Sequence, residues 1–220
     1  MKLALSPARG AWRLARVVCT VALLPACATL PQTADRPGDW PQTVQRLQSL
    51  QHWRLSARLA VQTVSQGGSL DLYWTQQGED YRIRLIAPLG QGAAVLQGNA
   101  DSVSARLAGG ERFQGRPETL MQQHFGVAVP VTSLVYWLRG LPAPDTPPRQ
   151  LGWNRQQRLH HLVQNGWRIE MQDYKPVAGW LLPHRFYLEP LASAQQADGG
   201  DTSVRLVIRQ WVAARPAVPQ

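Results

Sequence analysis

The sequence predicts a mainly β fold with a few short helices, built as an antiparallel meander. Three observations predict it. Over much of 53–114 and again over 158–212, apolar side chains recur at every second position, the period of a strand with one buried face. The runs are separated by turns such as Gln66-Gly67-Gly68 and Asn165-Gly166, too short for parallel crossovers. Helical spacing is confined to three short pieces, near 40–51, 117–125 and 134–138.

The chain opens with Lys2, Arg9, Arg13 and Arg16 and no acidic residue, followed by an apolar run from Val17 to Leu24. This is the basic n-region and short h-region of an export signal, well below the roughly 20 apolar residues of a spanning helix. Leu24-Pro25-Ala26-Cys27 resembles a lipobox, the cleavage site of the lipoprotein signal peptidase. Small Ala26 lets the peptidase reach the bond, and the Cys27 thiol takes the diacylglyceryl group. The alternative is an ordinary secretory signal with an incidental cysteine. Of the two cysteines, Cys19 falls within the segment 1–26 that cleavage removes, so mature Cys27 has no disulfide partner, in keeping with acylation rather than pairing. Ala28, where Asp would retain a lipoprotein in the inner membrane, predicts the inner leaflet of the outer membrane, facing the periplasm. No other segment is long and apolar enough to span a bilayer.

Residues 27–39, with Pro31, Pro37 and Gly38, read as a lipidated flexible tether, leaving 40–220 as a single domain. Trp40, Val44 and Leu47 lie on one helix face, in a helix ending near Gln51. Leu55, Ala57, Leu59 and Val61 then alternate with Arg54, Ser56 and Arg58, followed by Leu70, Leu72 and Trp74, then Tyr81, Ile83 and Leu85. Short strands follow at 93–98, 102–107 and 111–114. Pro117 opens a helix carrying Leu120, Met121, His124 and Phe125, and Leu134, Val135, Trp137 and Leu138 form a second that stops at Gly140-Leu141-Pro142. The stretch 143–149, with three prolines, is a loop. Strands resume at 158–164, turn at Asn165-Gly166 with type I′ chemistry, run from Trp167 to Tyr174, and finish at 185–189 and 203–212. Pro88-Leu89-Gly90 is a loop whose one large apolar side chain, Leu89, either folds back on the core or projects outward.

Charge and chemistry exclude several function classes. The formal charge is +9, but removing the four basic signal residues leaves 19 basic against 14 acidic, or +5. The arginines are spread singly along strands, which argues against nucleic acid and allows a mild attraction to anionic lipid head groups. There is no Cys-x-x-Cys, His-Glu-x-x-His or nucleophile elbow, and His160 and His161 point to opposite faces of one strand. No catalytic residue, metal site or cofactor is predicted, and the chain does not read as an enzyme. Instead eight tryptophans remain beyond the signal, several on inward strand faces. They fit either an ordinary filled core or a curved sheet whose concave face exceeds what its helices can fill, leaving a ligand cavity.

Trp53-x-Leu55-x-Ala57-Arg58-Leu59-Ala60, Trp74 with Tyr81-x-Ile83-x-Leu85, Pro88-Leu89-Gly90, and Pro130-Val131-x-x-Leu134-x-x-Trp137-Leu138-x-Gly140-Leu141-Pro142 together resemble the outer-membrane lipoprotein LolB family. The likeness covers nearly all of 40–212, with the late Trp211 strand in agreement. It implies an incomplete antiparallel β-barrel closed by a few short helices and enclosing an apolar cavity. It further implies a receptor that accepts lipoproteins, by their acyl chains, from the soluble periplasmic carrier LolA and places them in the outer membrane without ATP or metal. A monomer is expected. Leu55, Leu59, Leu72, Trp74, Ile83 and Trp137 are then expected to line the cavity, and Leu89 to project toward outer-membrane lipid during insertion. Lipidated Cys27 favours receptor over carrier. Two rivals predict different interiors: a periplasm-facing scaffold lipoprotein has a solid core and a protein-binding edge, and an envelope hydrolase a polar cleft.

Overall fold

A computed structural model describes residues 37–63, 67–88, 92–125, 129–191 and 202–215. The signal, Cys27, most of the tether, Leu89 and Gly90 lie outside these residues. Pro37 is buried, and its carbonyl accepts from the Trp40 amide at 3.1 Å. Helix α1 (Trp40–Gln48) precedes six strands: β1 (His52–Gln62), β2 (Gly67–Gln77), β3 (Asp80–Ile86), β4 (Ala93–Gly98), β5 (Val103–Arg106) and β6 (Arg112–Gly115). Two helices follow, α2 (Pro117–Phe125) and α3 (Val131–Trp137). The second half holds β7 (Gln150–Trp153), β8 (Leu159–Gln164), β9 (Trp167–Gln172), β10 (Lys175–Val177), β11 (Trp180–Leu182), β12 (Arg185–Pro190) and β13 (Ser203–Ala213).

Eleven of these strands form one antiparallel sheet in the order β6-β5-β4-β3-β2-β1-β13-β12-β9-β8-β7. The first meander grows away from β1 on one side. The second returns from β7, and β13 docks on the other side of β1, with Leu59 opposite Leu206 and Val61 opposite Val204. Among the described residues the outermost strands β6 and β7 have no partner at the free edge, so the barrel is open, and the chain between those edges carries the helices α2 and α3. This is the expected incomplete barrel with helical closure.

Alternation sets each strand's inner face. β3 reads exposed-buried-exposed-buried, with Leu85 opposite Leu72, Ile83 opposite Trp74 on one side and Leu96 on the other. A bulge at Ser56/Ala57 lets Trp211 and Ile208, three residues apart on β13, both turn inward opposite Leu55 and Ala57. Asn165 and Gly166 take φ of 51° and 78°, as the type I′ turn requires.

The helices are held by tertiary partners more than by their own caps. α3 has no side-chain cap at its N-terminus. Glu118 on α2 fills that role, accepting from the Thr132 hydroxyl at 2.8 Å and its amide at 3.4 Å. The Arg139 guanidinium is buried and donates to the α1-terminal carbonyls of Leu47, Gln48 and Leu50 at 3.0–3.4 Å, satisfying acceptors that the helix end leaves open. Burial pulls its pKa down to about 10, so it remains a cation at neutral pH. Gly140 takes φ of 81° after α3, and a Cβ there would lie 3.0 Å from the Tyr174 hydroxyl.

Three differences from the expected elements have local causes. α1 ends at Gln48, not Gln51, because Ser49 and Leu50 turn toward β1. β7 was hidden by Gly152, and its pairing with β8 shifts register there. The β10–β11 hairpin was hidden by Pro176 and by a turn that places Ala178 at φ of 48°, a conformation alanine rarely takes.

Gln164 is the main polar tie of the core. Its Oε1 accepts from the Trp137 indole and the Ala143 amide, both at 2.8 Å, and its Nε2 donates to the carbonyls of Ala143 and Thr146. This fastens the proline-rich loop 143–149 to α3 and β8. Gln164→Leu strands these groups in a dry interior and should cost about 3 kcal/mol. Thermal unfolding followed by circular dichroism should show a midpoint lowered by roughly 6–12 °C. An unchanged midpoint would mean that water replaces the amide.

Candidate functional site

The concave face of the sheet does not close on itself. A cavity of about 270 Å³ lies between the inward residues of β1–β4, β12 and β13 and the helices α2 and α3. No described lining residue is charged. Leu72, Trp74, Ile83, Leu85 and Leu96 form one wall, and Leu188, Val204 and Leu206 the other. Val131, Leu134 and Leu138, spaced by three and four residues on one side of the α3 segment, form the roof with Met121 and Val129. The Trp74 indole N–H is taken by buried Gln76 at 3.0 Å, so the cavity meets only its hydrocarbon ring.

The cavity has a closed end and an open end. At the closed end Trp53, Trp74, Trp211 and Tyr81 pack edge-to-face or tilted, with centroids 5.2–5.7 Å apart. Such contacts each contribute about 0.5–1.5 kcal/mol beyond area burial and make a rigid floor. Toward the β1–β2 turn the lining becomes half-exposed, through Leu59, Val61, Gly68 and Leu70. The mouth lies there. The β3–β4 loop springs from the same end, because Leu85 and Ile86 pair with Leu72 and Asp71 near the start of β2. The loop's base is clamped by the Ala87 amide donating to the Gly92 carbonyl at 2.8 Å, and Pro88 at its start is exposed.

Four of the six residues expected to line a cavity do so: Leu59, Leu72, Trp74 and Ile83. Leu55 and Trp137 are not in the lining. Leu55 is buried opposite Trp211 and Trp74 at the aromatic end. Trp137 is fully buried with its N–H on Gln164, which holds its ring toward β8. Val204 and Leu206 went unselected although the alternation in 203–212 marks them as inward. Nothing local to the sequence says that this strand faces Leu59. His160 Nδ1 meets the Met171 carbonyl at 2.9 Å and His161 Nε2 meets Gln150 at 3.3 Å, and among the described residues no three His, Cys, Asp or Glu gather as metal ligands. No described helix is long and apolar enough to cross a membrane.

An open antiparallel barrel roofed by two helices around a cavity with no charged residue in its described lining defines a class of proteins with an apolar interior space. The comparisons narrow that class. The family model described as outer membrane lipoprotein LolB matches residues 51–211. The outer-membrane lipoprotein LolB of Alkalilimnicola ehrlichii is 39% identical over 191 residues, 86% of this chain and 91% of that one. That of Pseudomonas aeruginosa is 37% identical over 205 residues, 90% and 95% of the two chains. A LolA superfamily protein from Nitrosomonas europaea superposes with a TM-score of 0.50 at 9% identity, covering 81% of this chain and 94% of that one, a likeness of fold. The chain belongs to the LolB family of outer membrane lipoproteins, and its role is in lipoprotein localisation.

Proposed function

We propose that the chain is anchored through acylated Cys27 in the inner leaflet of the outer membrane, faces the periplasm, and receives the acyl chains of lipoproteins from the carrier LolA for insertion into that membrane. The observation that supports this most is the uncharged cavity of about 270 Å³. A dry apolar cavity of about 150 Å³ is already enough to take up benzene, so this one suits a longer stretch of hydrocarbon. Each methylene withdrawn from water contributes about 0.8 kcal/mol. A bilayer buries a whole chain, whereas this cavity has finite depth and ends on the Trp53–Trp74–Trp211 floor. Cargo therefore moves downhill from receptor to membrane without a nucleotide or metal. A scaffold with a solid core has no use for such a space.

Binding of a fluorescent fatty acid tests the proposal. The protein should enhance the probe's emission, an acylated lipoprotein should compete it away, and the same protein without its acyl chains should not. Leu206→Trp, which fills the cavity, should weaken the probe at least tenfold while costing about 1–3 kcal/mol of stability. A probe that binds Leu206→Trp as tightly as the parent would place the ligand elsewhere.

A further inference from the structure

The outer face of the same sheet over β13-β1-β2-β3 carries exposed side chains among the described residues and has an unusual composition. Among the described residues the exposed large hydrophobic side chains are Tyr73, Val207 and Val212, at 41–44% exposure, and all three lie on this face. Strand register places Val212 beside Arg54, which continues through Thr75 to Arg82. The next row runs from Gln210 through Ser56 and Tyr73 to Arg84. Arg54, Arg82 and Arg84 border a shallow cleft with Tyr73 and Thr75, and the Arg84 guanidinium stands 5.7 Å from the Tyr73 ring centroid. None of the three arginines has a carboxylate partner among the described residues. Asp71, in the following row, is committed to Arg58 at 3.1 Å and Arg209 at 2.5 Å, which hold its carboxyl below the usual range.

We propose that this outer face of β13-β1-β2-β3 is a second membrane contact, which lays the domain on anionic phospholipid head groups. The guanidinia meet lipid phosphates, while the Tyr73 ring and the two valines enter the boundary just below, as side chains with an apolar body and a polar tip do at interfaces. An acidic protein would satisfy the charges but not explain why the exposed apolar groups are interleaved with them. The anchor supplies the occupant, a point that rests on the reading of Cys27 above. The residues between Cys27 and Pro37 span at most about 36 Å, so the leaflet is always within reach. The contact fixes one orientation of the domain on the membrane.

The test uses the full lipidated protein in vesicles. Acylation occupies Cys27 and cleavage removes Cys19, so Gln210→Cys offers a unique thiol on this face for a polarity-sensitive label. Gln156→Cys, in the exposed β7–β8 turn, is the control. In vesicles of equal parts phosphatidylglycerol and phosphatidylcholine, the label at 210 should shift to the blue and be quenched by nitroxide lipids, and the label at 156 should not. Pure phosphatidylcholine or high salt should abolish the shift. Each arginine near an anionic surface is worth about fivefold in partition. Arg54→Ser/Arg82→Ser/Arg84→Ser should therefore lower the docked-to-undocked ratio about 100-fold, with unchanged thermal unfolding because all three side chains are exposed. A label at 210 that stays in water overturns the proposal. So does one shifted equally in both lipids, or one protected only when an acidic protein is added. Flotation with phosphatidylcholine vesicles reads the anchor separately.

Discussion

Cys27→Ala, exported behind a secretory signal that is removed, should be recovered folded in the soluble periplasmic fraction instead of the outer membrane. Acylation is the proposed attachment, and a single acyl chain already gives a partition constant of about 10⁴ M⁻¹, with two or more giving stable anchoring. Losing all chains should deplete the membrane-bound form by several orders of magnitude. The outer face alone is too weak to replace them in a periplasm at physiological salt. Stability should be unchanged, since the core residues lie between Trp40 and Trp211, and the fluorescent fatty acid should still bind. Fractionation and thermal unfolding of the same sample separate these results. Persistence of the variant in the outer membrane would show that Cys27 is not the anchor.

Leu89→Glu should uncouple acceptance from delivery. The β3–β4 loop is rooted at the cavity mouth through the Ile86–Ala93 pair and the Ala87–Gly92 hydrogen bond, and we propose that Leu89 acts there between cavity and bilayer. A carboxylate immersed in hydrocarbon costs about 2.5–3.5 kcal/mol, which corresponds to delivery slowed roughly 100-fold. The cavity lining does not include this loop among its described residues, so transfer from carrier to receptor should continue and cargo should accumulate on the receptor. Purified carrier, Leu89→Glu receptor and liposomes follow both steps in one assay. Delivery at the parental rate would remove Leu89 from the insertion step, and a loss of folding would return it to the core.

The candidate site was legible wherever one strand sufficed to describe it. Leu59, Leu72, Trp74 and Ile83 line the cavity because alternation assigns each to the inner face. Alternation says nothing of depth along the strand, which is why Leu55 on the same face of the same strand belongs to the aromatic end instead. Trp137 shows a second limit. Its helical spacing made it inward-facing, but a helix seated in a gap between sheet edges has two buried sides, and the bond to Gln164 selects the one away from the cavity.

By itself the sequence determined the type of most of the longer elements, the inner face of each long strand and the Asn165-Gly166 turn. These follow from side-chain periodicity and local backbone preference, both complete within about ten residues. Only the tertiary structure decided that β13 docks on β1, that the edge strands β6 and β7 do not pair with each other, and that α2 and α3 roof the gap. The cavity exists because of those three facts together. Leu59 meets Leu206 across nearly the whole domain in sequence, and the volume left between them depends on how far an open sheet curves before its helices stop it, a sum over packed side chains that no local pattern encodes.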